Sequence, residues 1–146
     1  MFTHILLPTD GSELSLHAID TRIALAAKIG AKVYAFHVIP PLPAVRYFAD
    51  MLQMPEATYT SSAEHRAQGY LASVRERADA AGVPCDTGYA IDRRPYCAIA
   101  GAAAKQHCDL IVMATHGWRC FDRLLLGSET HKVILNVNVP VLVVRS

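Results

Sequence analysis

The chain has 146 residues, of which 52% are hydrophobic and 18% charged, and a formal net charge of +1. That balance suits one domain over residues 1–146 with a sizeable core, and it excludes a disordered chain. It also supplies no basic field of the kind that draws nucleic acid.

Four cysteines (Cys85, Cys97, Cys108 and Cys120) lie far apart, with no C-x-x-C pair. No secretory leader is legible at Met1-Phe2-Thr3, and no apolar run approaches transmembrane length. The expectation is a reduced, cytoplasmic protein whose partners are neither nucleic acid nor membrane. Seven histidines without H-x-x-x-H spacing predict no structural metal site.

Phe2 to Thr9 reads as a strand centred on Ile5-Leu6-Leu7, stopped by Pro8 and Asp10-Gly11-Ser12. A helix follows to about Ile29, with Leu16, Ile19, Ile23, Ala26 and Ala27 on its apolar face and Gly30 as its stop. Lys32 to Ile39 is β-branched and aromatic, and predicts a second strand. Three prolines end it. Residues 41–60 show little periodicity and read as a long connection carrying Tyr47, Phe48, Met51, Leu52 and Met54, either a lid or a surface loop with a short helical turn.

The next helix is expected from Ser61-Ser62 to Gly82, with Ala67, Tyr70, Leu71, Val74, Ala78 and Ala81 inward. Glu64, Arg66, Arg75, Glu76 and Arg77 mark its solvated side. Pro84 to Ile91 alternates weakly and reads as an edge strand. Pro95 sits near the first turn of a helix ending about Gln106. Leu110 to Ala114 is a short apolar run typical of a strand buried on both faces. Ser128 starts a last helix with Val133, Ile134 and Val137 inward, and Val141 to Val144 is the final strand.

Strands alternating with helices give a mostly parallel sheet with helices on both faces. In such sheets the ligand crevice lies beyond the carboxyl ends of the strands, where the winding reverses. If the first and fourth strands are neighbours there, Pro8, Thr9 and Asp10 meet Met113, Ala114 and Gly117. Gly127-Ser128 before a helix is a phosphate seat or a simple cap. Asp10 suits ribose hydroxyls, a metal ion or a helix start. Arg119 and Arg123 suit phosphate or plain solvation. Trp118 and Phe121 shield the crevice or fold back on themselves, and His116 borders it. Cys120 is the thiol expected to be exposed. No Walker-type loop and no G-x-G-x-x-G are present.

Ala114, two residues, Gly117, nine residues, then Gly127-Ser128 resembles the G-x2-G-x9-G-[ST] signature of the universal stress protein family. Leu7-Pro8-Thr9-Asp10-Gly11-Ser12, His37-Val38-Ile39-Pro40 and Val139 to Arg145 lie in register with it. The resemblance implies an open, Rossmann-like five-stranded sheet of order 3-2-1-4-5, and binding of ATP, alone or with magnesium.

By position, the resemblance implies that Asp10 contacts the nucleoside and the Val38 backbone meets the adenine edge. Gly117 and Gly127 line the ribose and phosphates, and Ser128 and the Glu129 amide hold phosphate. Pro8, Thr9, Met113, Ala114 and Arg119 are counted with them as binding candidates. Ala114 departs from the signature glycine. The resemblance further implies a stress-response sensor with no catalytic residue, a regulatory protein partner, and a homodimer joined through the C-terminal strand. Slow ATP hydrolysis, or an empty crevice serving protein contacts, are the competing expectations.

Overall fold

The computed structural model describes residues 1–10, 13–45, 54–114 and 128–145. Its elements run β1 (His4–Thr9), α1 (Glu13–Ile29), β2 (Lys32–Ile39), α2 (Leu42–Val45), α3 (Glu56–Ala80), β3 (Cys85–Ile91), α4 (Pro95–Lys105), β4 (Leu110–Ala114), α5 (Ser128–Asn136) and β5 (Val141–Val144). The strands form one five-stranded sheet of order β3-β2-β1-β4-β5, parallel at every pairing. This is the expected order, with β3 at an edge and β1 beside β4.

Alternation along the strands splits the core in two. Ile5, Leu7, Val33, Ala35, Leu110 and Val112 face α1 and α3, against Ile19, Ile23, Leu71 and Val74. Leu6, Phe36, Ile111 and Met113 face α4 and α5, against Ile99, Ala103 and Val133. β1 and β4 are buried on both faces, which is why they read as apolar runs. Gly30 and Gly82 follow α1 and α3 with φ of +70° and +72°, a left-handed turn that glycine enters without strain.

Several expectations shift. Ala27 and Ala81 are exposed, and Ile134 is 41% exposed rather than inward. The Leu16 side chain lies outside the described part, as do Tyr47, Phe48, Met51 and Leu52. The 41–60 connection carries α2, and α3 begins at Glu56, five residues before Ser61. Pro55 holds extended backbone at the helix start (φ −60°, ψ 140°), and Glu56 follows in the first turn, where a carboxylate suits the dipole. The extra turn is held by a third cluster of Ile39, Leu42, Tyr59, Ala63 and Ala67. Tyr59 also donates its hydroxyl to the Pro40 carbonyl at 2.6 Å. Glu64 is not merely solvated: it accepts from the Tyr89 hydroxyl at 2.8 Å.

At the opposite end of the sheet from the crevice, the Asp109 carboxylate ties β1 to β4. It accepts from the Thr3 and His4 amides at 2.9 and 3.0 Å and from the Thr3 hydroxyl at 3.0 Å. Burial would raise its pKa, but these donors together hold it below the ordinary value. The His4 imidazole is pushed down by burial and by Lys32.

Both shifts have the same sign for stability. Each group binds fewer protons folded than unfolded, so stability is present above its unfolded pKa and is lost as pH falls. The expected result is a melting temperature that declines first below about pH 6.5, from His4, and again below about pH 4, from Asp109. His4→Gln should flatten the first decline only.

Candidate functional site

The crevice forms where β1 and β4 part. Their pairing covers Ile5 with Leu110 and Leu6 with Ile111, and goes no further. Beyond it lie Pro8, Thr9 and Asp10 on one side and Met113 and Ala114 on the other, as expected. β2 ends alongside, with Thr9 opposite His37. The His37 Nδ1 lies 2.9 Å from the Thr9 carbonyl oxygen and donates to it as the Nδ1–H tautomer, fixing the β1 end against β2. Val38, next in β2, turns to the α4 and α5 face, beside the cluster of Leu6, Phe36 and Met113.

The start of α5 is fastened to the same place. The Thr130 hydroxyl donates to the Ala114 carbonyl at 3.1 Å, and Val133, fully buried one turn later, seats the helix on the sheet. Ser128 and Glu129 therefore stand at the end of β4, in the first turn of α5, where backbone amides have no partner within the helix. Thr130→Val keeps the shape but leaves the Ala114 carbonyl without that donor. The expected cost is about 1–2 kcal/mol in urea unfolding.

Among the described residues, Thr9 Oγ1, at the end of β1, and Glu129 Oε2, in the first turn of α5, are buried polar atoms that find no hydrogen-bond partner. Buried polar atoms are normally satisfied, so such a pair beside one crevice suits a ligand rich in hydroxyl and polar groups. Glu129 Oε1 lies 3.4 Å from Lys132 Nζ, which offsets part of the carboxylate charge at the start of α5.

Among the described residues, no cluster of three or more His, Cys, Asp or Glu is arranged to hold a metal ion. Gly117, Arg119 and Gly127, together with His116, Trp118, Cys120, Phe121 and Arg123, lie outside the described residues. Cys85, Cys97 and Cys108 are free thiols. Burial pushes Cys108 up to about 11 and raises Cys85, so neither is a ready nucleophile.

One residue at the crevice was not anticipated. Arg22, on α1, is 1% exposed. Its Nε donates to the Ala18 carbonyl at 3.1 Å, and its Nη1 donates to the carbonyls of Pro8 and Val112 at 2.8 and 3.1 Å. Burial lowers its pKa to about 10, against the favourable pull of Tyr70 and Asp10, so it stays charged at neutral pH. The signal was in the sequence. Arg22 falls at i+3 from Ile19 and i+4 from Ala18, on the stripe that faces the sheet.

Fold and crevice together define a doubly wound α/β protein whose first and fourth strands part at the switch point of the sheet. The family model described as the universal stress protein family matches residues 1–145. The chain belongs to that family.

A curated universal stress protein of Thermus aquaticus is 36% identical over 146 residues, covering 99% of this chain and all of that one. The solved structure of a hypothetical protein whose biochemical function was assigned from its structure superposes with a TM-score of 0.82 at 27% identity, covering 100% of this chain and 97% of that one. A universal stress protein solved in complex with cAMP superposes with a TM-score of 0.68 at 25% identity, covering 99% and 97%.

Proposed function

We propose that the protein binds an adenine nucleotide, ATP foremost, between the ends of β1 and β4, and acts in the cytoplasm as a nucleotide-dependent regulator of the stress response. The observation that carries this reading is the docking of the α5 start onto the end of β4, Thr130 to Ala114, with β4 lying beside the strand that ends in Thr9. One small crevice thus offers helix-start amides for phosphate and polar groups for a ribose.

In this reading Asp10 and the Thr9 hydroxyl take the ribose and the Val38 backbone takes the adenine. Pro8, Met113 and Ala114 form the walls, and Ser128 with the Glu129 amide seats phosphate. Gly117 and Gly127 complete the site by their place in the signature, and Arg119, between them in sequence, offers its guanidinium to phosphate. The relative bound to cAMP supports an adenine ligand for the family. Any magnesium arrives with the phosphates.

The test is calorimetric titration of the whole protein with ATP, AMP and cAMP, paired with melting curves. A ligand of the native state must raise the melting temperature, by an amount that grows with its free concentration over Kd. No heat and no shift with any of the three at millimolar concentration would end the proposal and leave a crevice used for protein contacts. Release of free phosphate from ATP and magnesium, lost in Asp10→Ala, would instead favour slow hydrolysis.

A homodimer through β5 belongs to the same proposal. β5 is an edge strand, Leu142 on it is 41% exposed, and Leu135 on the neighbouring α5 is 70% exposed. An uncovered apolar edge of this kind pairs with its own copy about a two-fold axis. Sedimentation at micromolar protein should give twice the chain mass, and Leu142→Lys should shift it toward the monomer.

A further inference from the structure

Pro8 occupies a place in the sheet that proline rarely fills. β1 is the central strand, and a proline inside a sheet deletes a ladder hydrogen bond. The deleted bond can be identified. The Thr3 carbonyl accepts from Lys32 on β2, and the His4 carbonyl accepts from Asp109. His4, Leu6 and Pro8 therefore turn their backbone groups toward β4, while the residues between them turn toward β2. Leu6 pairs with Ile111. Carried two residues on, that register sets the amide position of residue 8 against the Val112 carbonyl. Proline has no N–H to give it.

Arg22 Nη1 donates to that same carbonyl at 3.1 Å, and to the Pro8 carbonyl at 2.8 Å. One nitrogen thus spans the gap between β1 and β4 at the first step past their last pairing. Nε holds the side chain to its own helix through Ala18, which fixes the reach of the guanidinium.

We infer that Arg22 is a positioning residue of the crevice: its guanidinium takes the place of the strand hydrogen bond that Pro8 cannot make, and so sets the distance between the β1 and β4 ends. A direct pairing at position 8 would carry the ladder onward and close the strands together. The arginine bridge satisfies the same carbonyls from the α1 side and leaves the ends apart. That this spacing serves a nucleotide rests on the function proposed above; the bridge itself does not.

The experiment has two arms, both on the full chain. The first is a melting cycle of wild type, Arg22→Met, Pro8→Ala and the double variant. Arg22→Met should lower the melting temperature by about 5 °C or more. The double variant should recover at least half of that loss, because alanine restores an N–H for Val112. Additive losses, or a double variant that fails to fold, would overturn the bridge.

The second arm uses Arg22→Lys, which keeps the charge but replaces the planar fork with a single ammonium. Binding of AMP and of adenosine should weaken by the same factor, about tenfold, because the effect runs through the shape of the crevice. Wild-type affinity for both would overturn the positioning role, as would a loss confined to AMP. If wild type itself binds neither ligand, the nucleotide reading fails, and the melting cycle still decides the bridge.

Discussion

Ala114→Val is expected to weaken AMP binding about a hundredfold, or roughly 2.7 kcal/mol, measured by titration calorimetry. Ala114 closes β4, pairs with Val144 of β5 and gives its carbonyl to Thr130. It stands where the family signature has glycine, at the point of closest backbone approach in the proposed site. Alanine adds one methyl there and valine adds two more, branched at Cβ and stiff. Valine suits a strand, so the fold should hold while the crevice narrows. Ala114→Gly should act in the opposite direction and tighten AMP. Full affinity in Ala114→Val would show that the ligand keeps clear of the β4 end.

Gly88→Val should be strongly destabilising although it lies outside the crevice. A β-carbon built on Gly88 would overlap the hydroxyl of Tyr34 and crowd its Cζ. Tyr34 is stacked on Phe36 with ring centroids 6.1 Å apart, so turning its ring aside gives up that contact. Gly88 pairs with Phe36 across the β2–β3 ladder, which also fixes its backbone. Overpacking of this kind costs about 3 kcal/mol, near the top of its usual range. For a chain of this length that lowers the melting temperature by about 6–12 °C. Removing the hydroxyl with Tyr34→Phe should restore part of the loss. A Gly88→Val protein as stable as wild type would mean that β3 sits farther from β2 than the pairing shows.

Much of this architecture was legible because its causes are local. Short apolar runs bounded by Gly30, Gly82 and the prolines marked the strands, and their alternation with helical stripes required a parallel sheet. The convergence of Pro8 to Asp10 with Met113 and Ala114 followed from the same topology.

The features that escaped the reading depend on contacts between distant elements. Ser61-Ser62 looks like a helix start, yet the inward spacing Tyr59, Ala63, Ala67, Leu71 runs straight through it. What extends the helix is the satellite core around Ile39 and Leu42. Spacing alone places Ile134 inward, but α5 packs through Thr130 and Val133 and leaves it outside. Arg22 is not marked by apolar spacing, because a charge on an apolar stripe breaks that pattern. It is inward here because a proline on another element leaves a carbonyl to be satisfied. No single segment shows that, although proline in a central strand and arginine on the facing stripe are both visible once they are considered as a pair.

The central claim is that an adenine nucleotide sits where β1 and β4 separate, with its phosphate at the start of α5. Titrating AMP into 15N-labelled protein and following the backbone amides tests it most directly. Saturable shifts should concentrate at Thr9, Asp10, Val38, Ala114, Ser128 and Glu129, and leave Cys85, Leu135 and Leu142 unmoved. Shifts centred on β3 or on the outer face of α5, with the amides of Ser128 and Glu129 silent, would contradict it.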